Sequence, residues 1–204
     1  MNATTTARIR RSLAAGSITL LGASALWLGA TGPAAAATYT CHGAKATIVG
    51  TGASDEIEGT SGRDVIVGLG GSDEIDGNGG NDIICGGSGN DEIDGSGGDD
   101  WIDGGAGHDE IDGESGNDTL YGSTGKDVLE GGSGKDRLDG GTNNDHLQGD
   151  SGADSLFGRS GHDLLEGGTA SDKLNGGADS DSIHQRYASE RTEDRWESRY
   201  GRDD

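Results

Sequence analysis

Fifteen aspartates recur at a constant interval of nine residues, and they are the side chains most able to do chemistry. They are Asp55, Asp64, Asp73, Asp82, Asp91, Asp100, Asp109, Asp118, Asp127, Asp136, Asp145, Asp154, Asp163, Asp172 and Asp181. A carboxylate is a hard oxygen ligand of the kind that calcium prefers. The spacing therefore indicates metal binding by a regular row of carboxylates.

Other reactive side chains do not form a catalytic pattern. His108 and His162 each precede one of the spaced aspartates, and His146 and His184 flank predicted strands. We interpret these histidines as solvated surface groups, and we do not interpret the neighbouring pair Asp99–Asp100 as catalytic, because the spacing already accounts for nearly every aspartate. Matches to G-x-G-x-x-G arise from the same spacing and lack the strand–helix–strand unit that a nucleotide site requires. The sequence therefore predicts that the chain is not an enzyme.

The aspartates occupy position six of a nine-residue repeat that runs from Gly50 to His184 without insertion or deletion. Position one is Gly and position eight is Ile or Leu in all fifteen repeats, while position four is Gly in eleven. We expect glycines at positions one and four to adopt the φ > 0 conformations that other residues avoid. We expect the eighth residue to be the inward side chain of a very short strand. A unit this small cannot bury a core alone, so the repeats must stack.

The composition indicates that stacking alone does not make this chain fold. Of its 204 residues 42 are Gly, only 29% are hydrophobic, and the formal net charge is −22. Low hydrophobicity with high net charge is typical of a disordered chain. Nucleic acid and anionic membrane surfaces repel a polyanion, so neither is an expected partner. The sequence predicts disorder unless cations neutralise the chain.

On these residues, the nonapeptide G-G-x-G-x-D-x-U-x resembles the hemolysin-type calcium-binding repeat family, also called the RTX family. The resemblance implies an all-β fold, a parallel β-roll (a β-solenoid) of about fifteen nonapeptide repeats with two repeats per turn. It also implies that loop carbonyls and the fifteen aspartates hold Ca²⁺ between adjacent turns, with room for up to roughly thirteen ions. Repeats that lack the fourth Gly are expected to hold calcium less well; they carry Ala53, Asn143, Ala170 and Asp179 there.

Residues 1–37 are predicted to be a signal peptide. Three arginines near the start precede a weakly apolar run over residues 13–30 and a row of alanines at residues 34–37, which offers an A-x-A cleavage site. An uncleaved membrane anchor is the alternative, because the run approaches spanning length. Cleavage would leave a net charge of −25 and no stable membrane span. The expected location is extracellular or at the cell surface.

An 18-residue period predicts two different faces, because residues that flank an inward side chain point outward. In the first, third, fifth and seventh repeats the flanks form an acidic face: Glu56, Glu58, Glu74, Asp76, Glu92, Asp94, Glu110 and Asp112. The alternating repeats form an apolar stripe: Val65, Val67, Ile83, Cys85 and Trp101, extended sparsely by Tyr121 and Phe157. The acidic face is either a further cation site or a solvated surface, and we favour the latter.

The two cysteines are predicted to join the leader, residues 38–49, to the apolar stripe. Cysteines of an exported chain favour a disulfide, and Cys41 and Cys85 lack the C-x-x-C spacing of zinc or redox sites. We predict a Cys41–Cys85 bridge that ties the leader over the stripe as an N-terminal cap, with a strand at the open edge. Two free thiols or an intermolecular bridge are the alternatives.

The C-terminal residues 185–204 break the repeat and form a charged tail. Five arginines and six acidic residues alternate there with Tyr187, Trp196 and Tyr200. Either a short helix that caps the last turn or a disordered tail fits this composition.

Three functions are compatible with the sequence. The first is a secreted calcium-binding protein whose β-roll is unfolded at low internal calcium and folds on binding calcium outside. The second is a calcium-dependent adhesion or matrix protein that uses the apolar stripe or calcium bridges to contact a surface, another copy of the chain or an unidentified protein partner. The third is an accessory module for a separately encoded extracellular enzyme. A stripe covered by the leader would weaken the second.

Overall fold

The computed structural model describes residues 8–11 and 38–185, and every regular element in them is a strand. In chain order the strands are β1 (Arg8–Arg11), β2 (Thr40–Cys41), β3 (Ala44–Lys45), β4 (Ile48–Val49), β5 (Asp55–Glu58), β6 (Val65–Gly70), β7 (Glu74–Asp76), β8 (Ile83–Ser88), β9 (Glu92–Asp94), β10 (Trp101–Ala106), β11 (Glu110–Asp112), β12 (Thr119–Thr124), β13 (Val128–Glu130), β14 (Ser133–Gly134), β15 (Arg137–Thr142), β16 (His146–Gln148), β17 (Ser151–Gly152), β18 (Ser155–Ser160), β19 (Leu164–Glu166), β20 (Lys173–Ala178) and β21 (Ser182–His184).

The strands form two main sheets, and the chain alternates between them at each repeat. The nine-stranded sheet has the order β1-β5-β7-β9-β11-β13-β16-β19-β21, and the eight-stranded sheet has the order β20-β18-β15-β12-β10-β8-β6-β4. Consecutive repeat strands within each sheet are parallel and in register at 18 residues, as in the pairing of Ile57 with Ile75 and of Ile66 with Ile84. The predicted β-roll with two repeats per turn is confirmed, with about eight turns.

The position-eight residues form the core between the two sheets. Thirteen of them, from Ile57 to Leu165, are at most 1% exposed and form one cluster with Ile48 of the leader. The core weakens at the C-terminal end, where Leu174 is only partly buried and Ile183 is 47% exposed. Each turn thus adds two aliphatic side chains, one from each sheet, to a single column of buried residues.

The two sheets differ in strand length. In the nine-stranded sheet most repeat strands span only positions seven to nine, as expected. In the eight-stranded sheet the strands continue through positions one to three of the next repeat, so that β6 contains Gly68, Leu69 and Gly70. One side of the roll is therefore held by six-residue strands and the other by three-residue strands.

The prediction that position-one glycines adopt φ > 0 is wrong. Left-handed φ occurs at position four, as predicted, and also at position two of the third to fifteenth repeats, as in Gly71 (φ 115°) and Leu69 (φ 80°). Gly at position one is needed because the turns approach closely there: a Cβ on Gly86 would lie 2.8 Å from the Gly104 carbonyl oxygen and 2.6 Å from Oδ2 of Asp91. The position-one glycines provide space rather than an unusual backbone conformation.

The leader pairs with the first strand of the eight-stranded sheet that belongs to a repeat. β4 pairs in parallel with β6, placing Ile48 beside Ile66, and β2 and β3 form a small antiparallel hairpin. The disulfide between Cys41 and Cys85 is present. Cys41 forms a second apolar cluster with three residues of the stripe, Val65, Val67 and Ile83, which are at most 9% exposed.

Two predicted terminal segments fall largely outside the described residues. Of the predicted signal peptide only β1 is described, and it pairs antiparallel with β5 so that Arg8 is opposite Glu58. Of the charged tail only Gln185 is described. In the described part of the chain no helix is long and apolar enough to cross a membrane.

Candidate metal centre

Hydrogen bonds between successive turns connect the spaced aspartates into two ladders. The Oδ1 atom of each aspartate from Asp73 onward accepts a hydrogen bond from the backbone N–H of the aspartate 18 residues earlier, at 2.7–3.1 Å. One ladder runs from Asp55 to Asp181 and the other from Asp64 to Asp172. Half of each carboxylate is thus committed to holding the turns together.

The other carboxylate oxygen has no partner in eleven of these aspartates. Oδ2 is buried, and no described residue hydrogen-bonds to it, in Asp73, Asp82, Asp91, Asp100, Asp109, Asp118, Asp127, Asp136, Asp145, Asp154 and Asp163. All eleven residues are at most 3% exposed. Burying a charged oxygen without a partner is costly, and buried charges in proteins are normally paired or coordinate metals. Eleven such atoms in a regular array indicate a site for cations.

Burial also changes the acidity of these carboxyl groups. Burial raises the pKa of Asp109 from its ordinary value to about 7; the hydrogen bond from Asp91 opposes the rise, and the charges of Asp127 and Asp91 add to it. Burial likewise raises the pKa to about 7 in Asp82, Asp118 and Asp145, and to about 6 in Asp73, Asp100, Asp136 and Asp154. The array therefore favours protons or other cations.

Backbone carbonyls supply further oxygens between the turns. At position four the carbonyl of one turn points at the same position of the next, so a Cβ on Gly107 would lie only 1.5 Å from the Gly89 carbonyl oxygen. At position one a Cβ on Gly104 would lie 2.5 Å from Oδ2 of Asp109. Glycine thus keeps open the space around the carboxylate and the carbonyls.

This donor set fits calcium. In the described residues no group of three or more His, Cys, Asp or Glu side chains converges as a metal site. A site between turns would therefore combine aspartate Oδ2 with backbone carbonyls, an all-oxygen set of the kind that calcium takes. Zinc prefers Cys and His in addition to carboxylates, and this arrangement does not offer them.

The loops at the two ends of the roll differ from the rest. In the last loop of the Asp64 ladder, Nε2 of Gln185 donates a hydrogen bond to Oδ2 of Asp172 at 2.6 Å. Asp181 belongs to the fifteenth repeat, which the charged tail follows directly. In the first two repeats, Oδ2 of Asp55 and Asp64 accepts hydrogen bonds from within its own loop. The fifteen predicted ligands are therefore not equivalent.

Loops without a fourth Gly keep the conformation of their neighbours at the C-terminal end. Asn143, Ala170 and Asp179 all have positive φ, between 78° and 90°. Ala53 does not, and neither does Gly62 in the second repeat, although Gly could adopt it freely. Position four alone does not decide the conformation of the loop, and the predicted weaker calcium binding of these repeats stays a prediction.

Side chains at position five have a role that the sequence pattern did not indicate. Those that carry an acceptor atom can accept a hydrogen bond from the backbone N–H of position five in the next turn, as Nδ1 of His108 does from Lys126 at 2.8 Å and Oδ1 of Asn90 does from His108 at 2.9 Å. Oδ1 of Asp99 accepts from both the backbone and the side chain of Asn117, which lowers the pKa of Asp99. Asp99 is thus exposed with a lowered pKa, whereas its neighbour Asp100 is buried and its pKa is raised by burial.

The family model for the RTX calcium-binding nonapeptide repeat (4 copies) matches residues 49–84, 86–120, 112–147, 121–156 and 148–183. These matches cover well over half of the chain and include all fifteen spaced aspartates; within the repeats only Cys85 and His184 lie outside them. A comparison with curated proteins finds no match.

Proposed function

The chain belongs to the RTX calcium-binding nonapeptide repeat family, and we propose that it is a secreted protein whose β-roll folds when calcium binds between its loops. Calcium binding follows from the family; secretion and folding on binding are our proposals. The observation that supports folding on calcium binding most directly is the array of eleven buried Oδ2 atoms without partners.

Coupling of folding to calcium follows from the charge of the array. At neutral pH the eleven carboxylates would have to enter the folded state either protonated or unpaired, and both are unfavourable. Divalent cations remove this penalty only when the turns are stacked, because the carboxylate and the loop carbonyls meet only there. Binding free energy therefore becomes folding free energy, as in other metal-dependent domains.

The same array gives the number of ions that we propose. Each orphaned Oδ2 belongs to one loop, so about eleven calcium ions would complete them. This is fewer than the roughly thirteen predicted from the repeat count. Of the fifteen aspartates, Asp55, Asp64 and Asp172 already have a hydrogen bond to Oδ2, and Asp181 is not among those with a buried Oδ2 that lacks a partner, which leaves eleven.

Secretion is supported by two features. Residues 1–37 have the layout of a signal peptide, and the Cys41–Cys85 disulfide requires an oxidising environment. A chain that stays unfolded where calcium is scarce remains competent for export, and the higher calcium outside the cell would then fold it.

We propose that the protein acts by binding calcium rather than by catalysis. The histidines at position five accept backbone hydrogen bonds in the loops, which gives His108 and His162 a structural role. Adhesion through the apolar stripe is disfavoured, because the leader covers Val65, Val67 and Ile83. A role as accessory module for another enzyme stays a prediction from the sequence.

Native mass spectrometry of the purified chain, titrated with calcium and separately with magnesium, tests the binding proposal. We expect about eleven bound calcium ions and far fewer magnesium ions, because magnesium requires a stricter octahedral geometry. Binding of no more than one or two calcium ions would contradict the proposal.

A further inference from the structure

The first two loops of the roll are completed by threonine. Thr51 donates hydrogen bonds from its backbone N–H (2.6 Å) and its hydroxyl (2.8 Å) to Oδ2 of Asp55. Thr60 does the same for Oδ2 of Asp64, at 2.8 Å from both groups. The atom that lacks a partner in eleven later loops therefore has two donors in each of these loops.

The backbone of these loops differs as well. Position two has positive φ in each repeat from the third to the fifteenth, but in neither Thr51 nor Thr60. Threonine is branched at Cβ, which makes the left-handed region particularly unfavourable for it. Thr51 and Thr60 are also the only threonines at position two of the repeat. The residue type thus selects a turn in which the position-two N–H points at the aspartate.

Asp64 is satisfied at both of its carboxylate oxygens. Oδ2 accepts from Thr60, and Oδ1 accepts from the hydroxyl of Thr47 in the leader at 3.2 Å. The Thr47 hydroxyl also accepts a hydrogen bond from the backbone N–H of Val65 at 2.9 Å. At Asp55 the ladder begins, so its Oδ1 receives no amide from an earlier turn and is buried without a hydrogen-bond partner among the described residues, whereas its Oδ2 is satisfied by Thr51. Thr47 of the leader thus donates to Oδ1 of Asp64 the hydrogen bond that a backbone N–H of the preceding turn donates to Oδ1 of the later aspartates.

The same turn is held by contacts that do not involve the loops. β4 pairs with β6, and the Cys41–Cys85 disulfide fixes the leader to β8 in the following turn. Val65, Val67 and Ile83 pack with Cys41 in an apolar cluster that is separate from the central column of position-eight residues. None of these contacts uses the aspartate or carbonyl oxygens proposed to bind calcium.

We infer that Thr51 and Thr60 take the place of calcium in the first two loops, and that the first turn with its leader is a calcium-independent template for the rest of the roll. The inference rests on the proposed calcium binding of the later loops. Stacking of the third repeat onto a preformed turn avoids the nucleation of an isolated turn, in which no neighbour is present. Calcium would then extend the roll from the N-terminal end.

Ion counting tests the first half of this inference. We expect Asp64→Asn to leave the number of bound calcium ions unchanged by native mass spectrometry, and Asp82→Asn, one turn later in the same ladder, to lower it by about one. We expect Thr60→Gly, which gives the second repeat the family consensus, to add about one ion. Equal losses in the two Asn variants, or no gain in Thr60→Gly, would overturn the inference. A wild-type chain that binds no calcium would overturn the proposed function as well.

Hydrogen exchange in chelator tests the second half. With the disulfide intact, we expect amides of residues 47–67 to be protected while those beyond residue 90 exchange at the rate of an unfolded chain. The variant Thr51→Val/Thr60→Val removes both hydroxyls at nearly constant volume and should increase exchange at least tenfold in residues 47–67 only. Full exchange of residues 47–67 in the wild-type chain would overturn the template, and so would uniform protection along the roll.

Discussion

The backbone N–H of Asp91 donates a hydrogen bond to Oδ1 of Asp109, one turn later, at 2.9 Å. The partner oxygen of the same carboxylate, Oδ2 of Asp109, is buried without a hydrogen bond. One aspartate therefore links two turns with one oxygen and offers the other to a cation. Stacking of the turns and construction of the metal site depend on the same side chain.

The two roles of Asp109 can be separated by comparing two substitutions. Asp109→Asn keeps an oxygen that can accept from Asp91 but removes the charge, whereas Asp109→Ala removes both. We expect Asp109→Ala to lower the free energy of unfolding in saturating calcium by about 1–3 kcal/mol more than Asp109→Asn, because the buried amide of Asp91 loses its acceptor. Urea unfolding followed by circular dichroism measures the difference, and equal losses would show that Oδ1 contributes nothing to the stacking.

Substitution at position one tests the close approach of the turns. A Cβ added by Gly86→Ala would meet Oδ2 of Asp91 and the Gly104 carbonyl, so we expect a loss of about 1–3 kcal/mol in the free energy of unfolding. Gly79→Ala is the matched control, because its Cβ would lie 3.6 Å from the Gly97 carbonyl oxygen, an ordinary contact. Its effect should stay within about 0.5 kcal/mol. Similar effects of the two substitutions would be inconsistent with the packing described.

Folding of the calcium-free chain and binding of calcium should depend on pH in opposite directions. Burial raises the pKa of Asp82, Asp109 and Asp118 to about 7 in the folded chain, so folding without metal favours the protonated carboxyl groups. Their contribution to stability is present at low pH and is lost as the pH rises through about 6–7. In calcium-free buffer we therefore expect strand content to increase from pH 8 to pH 5, above the isoelectric point of about 4.3.

Calcium affinity should instead fall over the same range, because the ligands must lose their protons before they bind the metal. Circular dichroism at several pH values, with sedimentation to exclude aggregation, measures both trends. Strand content that falls on acidification of the metal-free chain would refute the assignment of raised pKa values.

Removal of the disulfide should expose the apolar stripe at one end of the roll. Cys41→Ser/Cys85→Ser frees the leader from β8, and we expect a loss of about 2–4 kcal/mol in the free energy of unfolding together with binding of a hydrophobic dye. Dye binding of the variant at the wild-type level would show that the leader stays in place without the disulfide, and it would contradict the role of the leader as a tethered cap. Peptide mapping under non-reducing conditions gives an independent check on the bridge between Cys41 and Cys85.

The architecture was predictable from the sequence because the same positions of every repeat specify the same local structure. An inward Ile or Leu at position eight and an 18-residue alternation of flanks are enough to specify two parallel sheets, one acidic and one with an apolar stripe. The Cys41–Cys85 bridge was also predictable, since Cys85 lies on an outward position beside Val67 in the adjacent strand.

Details that depend on contacts between turns were not predictable from a single repeat. Gly86 is needed because it lies close to Gly104 in the next turn. A rule about the backbone conformation of a single glycine does not predict this contact. Hydrogen bonds such as that from Lys126 to His108 likewise join residues 18 apart at a position whose residue type varies. Thr51 and Thr60 did leave a signal, because they are the only threonines at position two, but its meaning required the geometry of the loops.

Folding on calcium binding is tested most directly by far-ultraviolet circular dichroism of the purified chain at neutral pH. In chelator we expect a spectrum dominated by coil, with strand content limited to the first turn, and after calcium addition a transition to the spectrum of a β-roll. Magnesium at the same concentration is the control and should leave the coil spectrum largely unchanged. A strand spectrum of equal intensity in chelator and in calcium would contradict the account, because the eleven buried carboxylates would then be accommodated without the metal.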